Sequence, residues 1–233
     1  MINHIGQGEQ IRYFERIMRN ANAHYPRISP YRIQMLNDNL PEKHEAWLDR
    51  VAEKLDMHRL SARFKTLKDV IKSYVFNLKR ERIGNCGESA ALSVAALLAN
   101  GHNDYRIGRL LIEATARSLE TEQKLDCMVF DTTHEFVILN LAENANPANP
   151  KTYGKNVIIM DAWNGFCANL NESFKNFFDI FMNGTYKYTD NAHNAEISYK
   201  PLFKIIDLGV NDEQAIQEFK MTFPELIIKS KNT

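Results

Sequence analysis

The chain has 233 residues, 44% of them apolar and 25% charged, a composition suited to one sizeable core in a globular fold. Lys plus Arg number 29 and Asp plus Glu 29, so the zero net charge provides no electrostatic footprint for nucleic acid or an anionic membrane surface. Three widely spaced cysteines argue against a disulfide framework and zinc-type Cys-x-x-Cys pairs, and no apolar run approaches the ~18 residues of a membrane span.

The start, MINHIGQGEQ, lacks a signal-peptide apolar region. The expected setting is therefore cytoplasmic, or export into a host cell without an N-terminal secretory signal. Residues 1–80 read as a helical region and a candidate substrate-recognition subdomain. Ile11, Phe14, Ile17, Met18 and Ala21 recur at helical spacing, as do Trp47, Val51 and Leu55, and Leu67, Val70, Ile71, Tyr74 and Leu78. Thr66 is a suitable N-cap for the third of these helices, and Pro26, Pro30 and Pro41 supply breaks.

Residues 81–233 read as the catalytic core, with further helices and a strand toward the C-terminus. RIGNCGESAALSVAALLA places Cys86 where a glycine-containing turn meets an Ala/Leu-rich helix ending near Gly101. A helix N-terminus favours the thiolate, and the thiolate is the nucleophile. Gly84 and Gly87 are expected to leave the backbone open to a substrate carbonyl. Glu88, in the first turn, complements the helix dipole.

The pattern then turns to strands. Tyr105–Ala116 fits either a strand or a short helix. Leu125–Phe130 and His134–Leu141 read as strands joined by a turn at Asp131-Thr132-Thr133, and Val157–Asp161 as a third. Asn164-Gly165 turns the chain. Asn169-x-x-Glu172 resembles a capping box before a helix carrying a Phe174/Phe177/Phe178/Phe181 core stripe and ending near Gly184. Phe203–Leu208 is a further strand, and Asn211-x-x-Gln214 opens a last helix that stops before Pro224. Helices first and antiparallel strands afterwards indicate an α+β fold.

A nucleophilic cysteine needs a base. His134 opens one strand and Asp161 closes another. Pairing Phe136 with Ile159 and Ile138 with Val157 sets His134 opposite Asp161, with Cβ atoms ~5 Å apart. In this reading Cys86 attacks an acyl carbon, His134 moves the proton, and Asp161 fixes the imidazole tautomer. Trp163 shields the His–Asp bond from water. Cys127 and Cys167 read as structural, and the other six histidines show no ligand spacing. Neither a metal nor an organic cofactor is implied.

Arg82-x-Gly84-x-Cys86 before an Ala/Leu-rich helix, then His134-Glu135-Phe136-Val137, then Asp161-Ala162-Trp163, resembles the transglutaminase-like branch of the papain-like superfamily over roughly residues 80–165. The resemblance implies a nucleophile helix packed on an antiparallel sheet that carries histidine and aspartate in this chain order. It implies a hydrolase or transferase acting on protein carboxamides, as a glutamine deamidase or transglutaminase. Some members are secreted bacterial effectors, virulence factors that deamidate a host-protein glutamine. A papain-like thiol protease and a non-catalytic protein-binding module remain the alternatives. The expected partner is a protein substrate, with no nucleic acid and no membrane; the oligomeric state is left open. Papain-like enzymes carry an oxyanion-donor glutamine about six residues before the cysteine, where this chain has Arg80. The Cys86 N–H is one expected donor, with Asn85 a candidate for the second.

Overall fold

The computed structural model describes residues 6–29, 46–47, 49–55, 57, 66–118, 128–146, 149–170, 186–190, 195–206 and 213–229. The architecture is α+β, with helices packed on an antiparallel sheet.

Helix α1, Gln7–His24, buries Phe14, Ile17, Met18 and Ala21, the stripe its spacing predicts. Helical residues at 49–55 bury Val51 and Leu55. Helix α2, Leu67–Glu81, opens on Thr66, whose Oγ1 accepts the Asp69 N–H at 3.3 Å, and it buries Ile71, Val75 and Leu78. Helix α3, Cys86–Ala99, is buried at every position from Glu88 onward, which makes it the central helix of the core. It ends in a Schellman arrangement. His102 N–H donates to Leu97 O and Gly101 N–H to Leu98 O, both at 2.9 Å, with Gly101 at φ +85°. Helix α4, Glu213–Thr222, precedes a 3₁₀ turn at Pro224–Leu226. Asn100 fastens that end by donating to Leu226 O and accepting the Ile228 N–H.

Among the described residues six strands follow α3: β1 Tyr105–Ser118, β2 Met128–Leu139, β3 Ile158–Asp161, β4 Phe166–Asn169, β5 Tyr186–Asp190 and β6 Ala195–Ile206. Their spatial order is β4-β3-β2-β1-β6-β5, with every neighbour antiparallel. Val137, Leu139, Ile158 and Met160 join α1, α2, α3 and α4 in one cluster. Phe136, Ile138 and Ile159 face the other way, against Tyr153, Val157 and Leu170. Packing is thus continuous across residues 80 and 81: α1 and α2 share their core with α3 and the sheet.

Several local expectations change. Tyr105–Ala116 is strand. Asp131-Thr132-Thr133 does not reverse the chain, because β2 runs through it. Leu110 pairs with His134 and Ile112 with Phe130, so residues 131–133 face Leu111 alone as a bulge. β-branched threonines suit a strand, and β1 is long enough to pair on both sides of the irregularity. A fourth strand, Phe166–Asn169, follows Asn164-Gly165, a dipeptide that marks hairpins. β6 begins earlier than Phe203. The Phe174–Phe181 stripe and Cys127 lie outside the described residues. Among the described residues no helix is long and apolar enough to cross a membrane.

Candidate active site

The chain leaves α2 at Arg82, which takes the left-handed conformation at φ +53°, and enters α3 three residues after Ile83. Asn85 is the N-cap of α3 and forms a capping box with Glu88, whose Oε2 accepts the Asn85 N–H at 2.9 Å. Cys86 is the first helical residue and is partly exposed.

The two flanking glycines make room for the protein's own groups. A Cβ on Gly84 would overlap Leu78 Cδ2 and lie 3.0 Å from Glu88 Cβ, and one on Gly87 would lie 3.2 Å from Glu135 Oε2. Glu135 is itself held across the β1–β2 pair by Arg109, whose Nε donates to it at 2.8 Å. Gly84→Ala is therefore expected to cost about 1–3 kcal/mol through overpacking against Leu78. Denaturant unfolding checks this, and unchanged stability would mean that Leu78 has room to retreat.

The β2–β3 register differs from the expected one by two residues: Ile138 pairs with Ile159, and Val137 with Met160. A shift of two keeps every side chain on its face. Asp161 becomes a diagonal neighbour of His134 rather than the residue opposite, and long side chains bridge such diagonals. His134 Nε2 lies 2.6 Å from Asp161 Oδ2. Cys86 also hydrogen-bonds the His134 side chain. Nε2 is committed to Asp161, which leaves Nδ1 as the ring nitrogen suited to the thiol. The structure thus brings Cys86, His134 and Asp161 together through a register two residues from the expected one.

Asp161 is 2% exposed and saturated with donors. Its Oδ1 accepts the backbone N–H groups of Trp163 at 3.1 Å and Asn164 at 3.0 Å, an Asx turn closing the β3–β4 hairpin. Its Oδ2 accepts the Asn164 side-chain amide at 2.8 Å besides His134. Gly165, at φ +78°, completes the turn. Asn164 is more than the turn residue its sequence suggests, since it shares the carboxylate oxygen that orients the imidazole. The signal was present in its position three residues after Asp161.

Burial alone would lower the pKa of His134. Hydrogen bonds to Asp161 and Cys86, and the charges of both, outweigh it and raise the value to about 9. The imidazolium is therefore the favoured form at neutral pH. The Trp163 ring covers it at 5.3 Å between centroids, with Phe136 at 5.8 Å on another side.

Asn85 and Trp163 meet on one hydroxyl. Ser29 Oγ donates to Asn85 Oδ1 at 2.8 Å and accepts from Trp163 Nε1 at 2.9 Å. Arg80 turns away, its guanidinium bonding Glu81 and Asn77 on the exposed side of α2. Cys167 lies buried in β4, where burial, helped by Glu15, pushes its thiol up to about 12. His102 packs between Tyr13 and Phe14, and burial lowers its pKa. A cavity of about 310 Å³ adjoins Trp163, lined also by Asn22, Pro26, Arg27, Ser29 and Ala162. Among the described residues no group of three or more His, Cys, Asp or Glu is placed to hold a metal ion.

The arrangement has the parts of a thiol nucleophile, a general base and acid, and an orienting carboxylate. Comparison of the chain with protein-family models, with curated proteins and with solved structures found no match.

Proposed function

We propose that the chain is a cysteine-dependent acyl-transfer enzyme, built on a transglutaminase-like core, that acts on the side-chain carboxamide of glutamine in another protein. The observation that carries this reading is the 2.6 Å bond from His134 to Asp161, with Cys86 hydrogen-bonded to the same imidazole. In the proposed cycle the Cys86 sulfur attacks the carboxamide carbon while the imidazolium gives its proton to the departing nitrogen, releasing ammonia and leaving a thioester. His134 then takes a proton from water, whose oxygen displaces the sulfur and yields glutamate. A primary amine in place of water gives a cross-link. The N–H of Cys86, at the start of α3, is one donor suited to the oxyanion. The source setting that fits this chemistry is a bacterial effector acting on a host protein.

The test is incubation with glutamine-containing proteins and peptides, reading ammonia release, charge shift and fragmentation. A single-charge shift without cleavage, absent in Cys86→Ala, is the expected result for a deamidase, and incorporation of a labelled amine for a transglutaminase. Substrate fragments would transfer the same machinery to peptide bonds. Full biological activity in Cys86→Ala would overturn the enzymatic reading in favour of a binding module.

A further inference from the structure

The segment joining α1 to the rest of the chain touches both halves of the candidate triad. Ile28 is hydrogen-bonded to the turn before Cys86, its N–H donating to Arg82 O at 2.9 Å and its carbonyl accepting the Gly84 N–H at 3.1 Å. On the nucleophile side, Arg27 Nε donates to Ser89 Oγ at 2.8 Å and Ser29 Oγ donates to Asn85 Oδ1 at 2.8 Å. On the acid side, Arg27 Nη2 donates to Ala162 O at 2.9 Å, and Trp163 Nε1 donates to Ser29 Oγ at 2.9 Å. Each of the two side chains therefore spans from the first turn of α3 to the β3–β4 hairpin.

We infer that Arg27 and Ser29 are positioning residues, a two-point clamp that sets the spacing between the helix carrying Cys86 and the hairpin carrying Asp161. This rests on the triad reading above and says what holds the triad in register. Cys86 and Asp161 sit on elements far apart in sequence, and α3 meets β3 mainly through apolar side chains, which allow sliding. Directional bonds from a third element remove that freedom. The Ser29 hydroxyl suits the task because it donates to one half and accepts from the other. Burial lowers the Arg27 pKa to about 10 against the attraction of the Asp161 and Glu88 charges. Its Nε, Nη1 and Nη2 are all engaged within the protein, Nη1 with Asn22 Oδ1 at 3.0 Å.

The experiment measures iodoacetamide alkylation of Cys86, mapped by mass spectrometry over a pH series, in the full chain and in Ser29→Ala, Ser29→Thr, Trp163→Phe, the Ser29→Ala/Trp163→Phe double variant and His134→Ala. Thermal unfolding is followed in parallel. Ser29→Ala is expected to slow Cys86 alkylation at neutral pH by roughly tenfold, the effect of one lost hydrogen bond, and to move its pH profile toward that of His134→Ala. Ser29→Thr, which keeps the hydroxyl, restores the profile. Trp163→Phe keeps a ring against His134 but loses the donor, so its effect should not add to that of Ser29→Ala. If Ser29→Ala folds poorly, Trp163→Phe alone decides the matter: slowed Cys86 alkylation is expected, and a wild-type rate and profile would overturn the clamp. Wild-type rate and profile in Ser29→Ala, or additive effects in the double variant, would overturn the clamp while His134→Ala still reports on the triad. Unchanged alkylation in His134→Ala would remove the triad and the clamp together.

Discussion

Asp161→Asn should lower turnover by roughly 10³-fold or more while the chain stays folded. The wild-type carboxylate only accepts, and four donors converge on it: two backbone N–H groups at Oδ1, and His134 and Asn164 side chains at Oδ2. An asparagine can keep its oxygen toward the backbone pair, which preserves the hairpin. Its amide then faces His134 Nε2 as a donor. The imidazole must accept there, so its neutral form carries the proton on Nδ1, against the thiol. A base protonated on that nitrogen cannot take the Cys86 proton. The lost negative charge lowers the His134 pKa as well, since Asp161 is a main cause of its elevation. Folding measured by circular dichroism should be near wild type. Turnover within tenfold of wild type would show that the carboxylate does not set the tautomer.

Folding stability should fall as pH rises from about 6.5 to about 9. The folded protein raises the His134 pKa above its ordinary 6.5, so it binds the imidazolium more tightly than the unfolded chain does. That contribution is fully present below the unfolded value and is lost as pH passes through the folded one. Its size over the window is at most roughly 3 kcal/mol. His102 works in the opposite sense, because burial lowers its pKa. Its contribution is present above 6.5 and lost as pH falls further, outside this window. Denaturant midpoints from neutral to alkaline pH should therefore slope downward in wild type and much less in His134→Ala. Turnover should show a descending limb near pH 9 as the proton destined for the leaving nitrogen disappears. A slope unchanged in His134→Ala would assign the effect to other groups.

Much of the site is readable because its members announce themselves locally. The stripe Phe14–Ile17–Met18–Ala21, the Thr66 cap and the Gly101 stop are period and cap signals written within one turn or two. Cys86 at the first turn of an apolar helix is of the same kind. The strand end at Asp161 follows from alternation and the turn residues after it, whereas His134 lies inside β2 rather than opening it. What escapes is set by contacts between distant segments. The long loop between β2 and β3 imposes no register, so the pairing differs by two residues from the one that put His134 opposite Asp161. The side-chain period of a strand is two, and this is why His134 and Asp161 still meet after the shift. The 131–133 bulge depends on how far β1 extends, which turn propensity at Asp131-Thr132-Thr133 does not encode. Arg27 and Ser29 carry no periodic signal, since their partners lie at Asn85, Ser89, Ala162 and Trp163. The need for glycine at 84 and 87 is also set at a distance, since a Cβ there would meet Leu78 and Glu135.

The central claim is that Cys86 is a nucleophile activated by His134, and two cysteines of one molecule test it together. Cys86 is partly exposed beside the imidazole, whereas Cys167 is buried with its thiol pushed up to about 12. Brief iodoacetamide treatment of the native protein at neutral pH, followed by peptide mapping, should label Cys86 and spare Cys167. In His134→Ala the Cys86 label should appear far more slowly, with Cys167 still spared. Equal labelling of Cys86 in wild type and His134→Ala would contradict the account.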